Sequence, residues 1–194
     1  MTFRSALLLC VIFSSLITPT AAFDEARAAF AEAERRFNRL GDRKGCGDAL
    51  TGSATVARLT GKLSEAAEQY QQALTLYRKV GATTAVAKGF NNLGVAKYLL
   101  GEWSEATDLW EIYAQTCRQI DERAERVMAL NNLGFLYKDR GDLARAEKSL
   151  RAGLALADAV GYRRMRSTLL GNLGEVLARR GEREAAAEAY DEAD

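Results

Sequence analysis

Asn92, Asn132 and Asn172 stand 40 residues apart, and the first two are each preceded by a second asparagine, Asn91 and Asn131. An asparagine side chain offers a carbonyl acceptor and two N–H donors, the same complement that a peptide group carries. A row of them suits recognition of a polypeptide backbone without demanding a particular partner side chain. The same row has a second use: amides from successive repeats can bond to one another and fix how the repeats stack. Other chemistry is poorly served. The chain contains no His, which removes imidazole acid–base catalysis and the commonest metal ligand. Glu65, Glu105, Asp108 and Glu111 fall in first turns or on solvent faces, where carboxylates suit helix dipoles and i to i+4 ion pairs. Gly45-Cys46-Gly47 lacks the preceding strand that a phosphate-cradling loop needs. No catalytic, cofactor-binding or metal-ligating set is expected, and the chain reads as non-enzymatic.

The asparagines belong to a wider repeat. Gly61, Gly101, Gly141 and Gly181 recur every 40 residues, as do Ala66, Ala106, Ala146 and Ala186. Leu93, Leu133 and Leu173 do the same, each followed by Gly94, Gly134 and Gly174. Between these markers apolar residues return every three or four positions, as in Leu130, Leu133, Leu136 and Tyr137, which is helix period. The only proline is Pro19, so nothing after it breaks helices by ring closure. The pattern predicts helical hairpins over 45–60 and 64–80, 85–100 and 104–120, 124–140 and 144–160, then 163–180 and 184 onward. Glycines at 101, 141 and 181 end one helix where φ turns positive, with Ser64 and Ser104 expected to cap the next. Gly41, Gly81 and Gly161 separate the hairpins, with Asp121 standing in once. Tyr70, Trp110, Leu150 and Tyr190 share a column and are expected to plug the space between successive hairpins.

This order of a bulky residue, L-G, an aromatic, a turn, an Ala and another bulky residue resembles the tetratricopeptide repeat. Leu130-Asn131-Asn132-Leu133-Gly134-Phe135-Leu136-Tyr137, then Gly141, Ala146 and Leu150, carries the resemblance most fully. The period is that of a longer, 40-residue variety with an N-N-L-G signature, similar to repeats of cell-polarity scaffolds and bacterial multi-domain proteins. Ser53 and Ala54 replace Leu-Gly in the first unit, and Lys97 stands where the second should have an aromatic. The resemblance implies an all-α fold, a right-handed superhelical solenoid of antiparallel hairpins. Its units are 45–84, 85–124, 125–164 and an incomplete 165–194, preceded over 23–44 by a capping half repeat.

In the family, the first helices line a concave groove that holds a peptide segment. Carried onto this chain, the groove residues are Asn91, Asn92, Val95 and Tyr98, then Asn131, Asn132, Phe135 and Lys138, then Asn172, Glu175 and Arg179, with Lys88 and Leu99 alongside. The implied partner is another protein or a peptide segment of it. An alternative is a regulatory or assembly arm of a larger protein whose catalytic or signalling domain lies outside this chain, and self-association through the C-terminal end is a further expectation.

Residues 1–22 have the layout of a signal peptide: Arg4, an apolar stretch from Ala6 to Ile17, and small residues ending at Ala22. That apolar stretch is shorter than the roughly 20 residues a spanning helix needs, so stable membrane insertion after cleavage is not expected. Export places the chain in the periplasm or outside the cell. Cys10 lies within the apolar stretch, and Cys46 and Cys117 are expected as packed thiols. Of 27 Lys and Arg and 26 Asp and Glu, only Arg4 lies in the leader, so the remainder is neutral. No basic stripe stands out, and nucleic-acid binding is not expected.

Overall fold

The computed structural model describes residues 19 to 193, the side chains of Pro19 and Thr20 apart. Most of the expected targeting segment, Cys10 included, lies outside the described residues. The junction expected after Ala22 falls inside the first described helix. All nine elements among the described residues are helices, and none of these is long and apolar enough to cross a membrane. The chain forms two compact units, one ending at Leu76 and one running from Tyr77.

The first unit contains α1 (Pro19–Leu40), α2 (Arg43–Leu59) and most of α3 (Leu63–Lys79). Packing of α1 on α2 is ring into notch. Phe37 faces Gly45 and Phe30 faces Gly52, so closely that a Cβ on either glycine would collide with the ring. Tyr70 from α3 is buried and shares a hydrogen bond with Thr55 of α2 at 3.0 Å. Cys46 is buried, its Sγ 3.3 Å from the amide oxygen of Asn38.

The second unit contains α4 (Thr83–Leu99), α5 (Trp103–Gln119), α6 (Arg123–Asp139), α7 (Leu143–Val160), α8 (Arg163–Arg179) and α9 (Arg183–Asp191). Consecutive helices pack as neighbours, and α6 also touches α8 directly. Within each hairpin a glycine of the first helix lies under a large side chain of the second. An added Cβ would stand 2.6 Å from Trp110 at Gly94, 2.6 Å from Leu150 at Gly134 and 2.7 Å from Tyr190 at Gly174. The bulky column therefore fills its own hairpin rather than the space between hairpins. The reason is that the deleted Cβ lets the axes close, and the space left is a slot shaped for one large residue. Ala106 and Ala146, one turn before, are fully buried. Cys117 is buried and free, with burial pushing its thiol up to about 12.

Turns explain the spacing. Gly41, Gly61, Gly81, Gly101, Gly141, Gly161 and Gly181 all have φ between 67 and 84°. Asp121, at φ 55°, is the one non-glycine residue of this kind among the described residues. In each case the next N–H reaches back to a carbonyl of the preceding helix, as Glu102 does to Lys97 at 2.9 Å and Asp142 to Tyr137 at 2.9 Å, the Schellman closure. That same residue is the N-cap of the helix that follows. Asp42 and Asp142 accept from the backbone N–H groups of Gly45 and Arg145, whereas Ala82, Glu102, Glu122, Tyr162 and Glu182 make no side-chain cap bond. Ser64 and Ser104, expected as caps, each lie one residue inside their helices. Closure directly after the left-handed residue starts the next helix too early for them to serve.

Candidate functional site

All eleven expected groove residues lie in the second unit, on the first helices α4, α6 and α8. The structure joins most of them to each other. Asn132 donates to Asn91 Oδ1 at 2.9 Å, and Asn172 donates to Asn131 Oδ1 at 2.9 Å. The stacking use of the asparagines is therefore real. It consumes half of each amide: Asn91 and Asn131 keep their N–H pairs, Asn132 and Asn172 keep their oxygens. Asn92 and Val95 are half-buried beside them.

Towards the C-terminal ends of the same helices the row becomes aromatic and charged. Tyr98 meets Phe135 edge-on at 5.8 Å and Trp110 at 5.9 Å, and its hydroxyl donates to Asp139. Partial burial, then the Asp139 bond, push the Tyr98 phenol up to about 12. Lys138 Nζ sits 4.4 Å from the centroid of Phe135 and pairs with Glu175. Arg179 pairs with Glu175 as well and donates to the Lys138 carbonyl at 3.2 Å. The hydrogen bond from Lys138 is the main reason that Glu175 is held below the usual carboxylate range.

One placement differs from expectation. Lys138 was expected as an exposed groove position, and it is 3% exposed. An ammonium tolerates such a site only when paired, and Glu175 with the Phe135 ring supplies what the solvent no longer does. It is a strut of the face rather than a contact on it. Leu99, by contrast, is 46% exposed.

Several participants escape a reading by columns. Asp139 and Glu125 accept from the hydroxyls of Tyr98 and Tyr113, and Lys88 lies 3.4 Å from Glu125. Glu111, expected to be merely solvated, accepts from Tyr137 at 3.0 Å. Lys97, at the position where an aromatic was missing, pairs with Glu102 and Glu105. A signal for the face itself does exist. Asn91–Asn132, Asn131–Asn172, Tyr98–Asp139 and Lys138–Arg179 are all bonded at a separation of 41, one more than the repeat. Neighbouring first helices thus touch one column out of step. Among the described residues no group of three His, Cys, Asp or Glu could hold a metal ion.

Residues 125–193 match the Tetratricopeptide repeat family. No curated protein matches the chain at a significant level. Among solved structures, BtubC (BKLC) from P. vanneervenii is 25% identical, with 89% of this chain and 72% of that one covered and a TM-score of 0.82. A Rap protein complexed with Competence and Sporulation Factor is 18% identical, covers 90% of this chain and 49% of its own, and has a TM-score of 0.76. The signal transduction ATPase with a tetratricopeptide repeat sensor from Pyrococcus horikoshii is 18% identical, with 88% and 27% covered and a TM-score of 0.76. The chain thus spans half or less of the last two proteins. Helices, turns and these likenesses together show an all-α repeat fold of the tetratricopeptide-like solenoid class.

Proposed function

We propose that the chain is a non-catalytic interaction module that holds a peptide segment of another protein across the face of α4, α6 and α8. The observation that carries this reading is the half-used asparagine ladder. Each interhelix bond fixes one amide atom and thereby aims the other, so donors on Asn91 and Asn131 and acceptors on Asn132 and Asn172 are held in place before anything binds. Fixed groups bind with less ordering cost than mobile ones. Val95, Phe135 and the exposed Leu99 add apolar area beside them. The likeness to a Rap protein complexed with Competence and Sporulation Factor supports the same use of the fold. Fold alone does not assign function, so the residues carry the argument.

The test is selection of binders from a displayed library of random ten-residue peptides on the full chain, followed by titration of the selected peptides. Asn91→Ala with Asn131→Ala should weaken every selected peptide about tenfold or more while the helical signal persists. Recovery of no peptide above background would sink the proposal. Export of the chain, to the periplasm or beyond the cell, is part of the same reading and rests on residues 1–22. Fusing them to a reporter that is active only outside the cytoplasm measures it. A role as a regulatory arm is the second reading, supported by the Pyrococcus horikoshii protein, of which a repeat array of this size forms only 27%.

A further inference from the structure

Glycine inside a helix costs about 1 kcal/mol relative to Ala, and most of the helical glycines here have a visible reason. Gly94, Gly134, Gly153 and Gly174 each face a side chain that a Cβ would strike within 3 Å. At Gly171 of α8 a Cβ would meet nothing within 4 Å. No packing contact offsets its cost. Gly171 occupies the register of Asn91 and Asn131, so the row of asparagines lacks its third member midway along α8, the last of the three helices of the face.

Asn131, whose oxygen is taken by Asn172, keeps its N–H pair. Arg164 precedes Gly171 by seven residues on the same side of α8 and is exposed, and Thr168 between them spends its hydroxyl on the Arg164 carbonyl at 3.3 Å. Arg164 makes no ion pair with any described residue. Its Cα lies about 10 Å along the axis from Gly171, a span that its side chain and an incoming Asp or Glu cover together. Beyond the gap stands Glu175, whose charge is met by both Lys138 and Arg179. An open place with unspent donors and an unpaired guanidinium complements a carboxylate.

We propose that the gap at Gly171 is a subsite for one acidic side chain of the bound segment, held by the Asn131 amide and the Arg164 guanidinium. This rests on the reading of the α4, α6 and α8 face as the peptide-binding surface. The experiment starts from the tightest peptide selected on the full chain, made with blocked termini, and replaces each of its positions in turn by Ala, Leu, Lys and Asp. One Asp or Glu position should stand out, its replacement by Ala weakening binding tenfold or more, with the loss shrinking as NaCl is raised. On Gly171→Leu and on Arg164→Ala that difference should fall below about threefold, while Gly171→Leu melts no lower than the parent chain. If Leu or Lys is accepted at every position, or if Gly171→Leu binds the acidic peptide unchanged, the subsite is wrong although the face still binds. If selection yields no peptide, the face and the subsite fail together.

Discussion

Asn132 Nδ2 lies 2.9 Å from Asn91 Oδ1, a single bond that ties α6 to α4 at the centre of the repeat face. Both residues are half-buried, so a net contribution near 1 kcal/mol is expected. A double-mutant cycle of Asn91→Ala and Asn132→Ala, read by urea unfolding, should give a coupling of about 0.5–1.5 kcal/mol. Zero coupling would show that the ladder has no part in stacking.

At Gly134 an added Cβ would meet a residue with nowhere to go. Leu150 is fully buried, its Cγ 2.6 Å from where a Cβ would stand. Gly134→Ala should destabilise the chain by about 1–3 kcal/mol through overpacking, despite alanine's better helix propensity. Leu150→Ala alone should cost about 2–5 kcal/mol. Combining the two should cost less than their sum, because each relieves the defect left by the other. Chemical denaturation of the three variants measures the shortfall.

Glu175 links stability to acid. Its folded pKa is depressed, so its contribution is present above the unfolded value of about 4.3 and is lost as pH falls through the lower folded value. The cause is chiefly the bond from buried Lys138. Glu175→Gln should lower stability at pH 7 by about 0.5–1 kcal/mol, since a buried ammonium loses its counter-charge while solvent screens the partly exposed carboxylate. Thermal melts from pH 7 down to pH 2 should show the two proteins converging as Glu175 becomes protonated. Parallel curves would mean that the pair contributes nothing.

Asp121 holds a φ of 55° at a position where the other turns have glycine. A left-handed conformation is strained for a residue with a Cβ, though Asp bears it better than most. Its ion pair with Arg123 is exposed and worth little. Asp121→Gly should therefore raise stability by about 0.5–1 kcal/mol, seen as a higher Tm. A fall instead would show that the Arg123 pair outweighs the strain.

Periodicity made most of this fold legible, because the same side chains meet the same environment every 40 residues. Helix limits, left-handed glycines and Asp121 all follow from that. Capping by Ser64 and Ser104 did not, since the cap position is decided by the turn closure one or two residues earlier. The bulky column was visible, but its slot was not: Trp110 and Leu150 point into their own hairpins because Gly94 and Gly134 open there. For the candidate site, all eleven positions fall on α4, α6 and α8. Burial of Lys138 was hidden because it depends on Glu175, 37 residues away on α8, and pairs of that kind lie outside any single column. The vacancy at Gly171 was visible only as a break in a row of asparagines. It is open space rather than a filled notch because no neighbouring helix sends a side chain within 4 Å of it.

The two- or three-residue closures between helices leave no slack in the chain. An inserted residue inside any helix would rotate everything beyond it by about 100°, turning Asn131 or Gly134 away from its partner, and no neighbouring turn is long enough to take up the error. A whole hairpin, in contrast, begins and ends in the same backbone state and can be added or removed without disturbing the next. Length variation in chains of this design should accordingly come as duplication or loss of complete 40-residue blocks, with single-residue insertions and deletions confined to the ends.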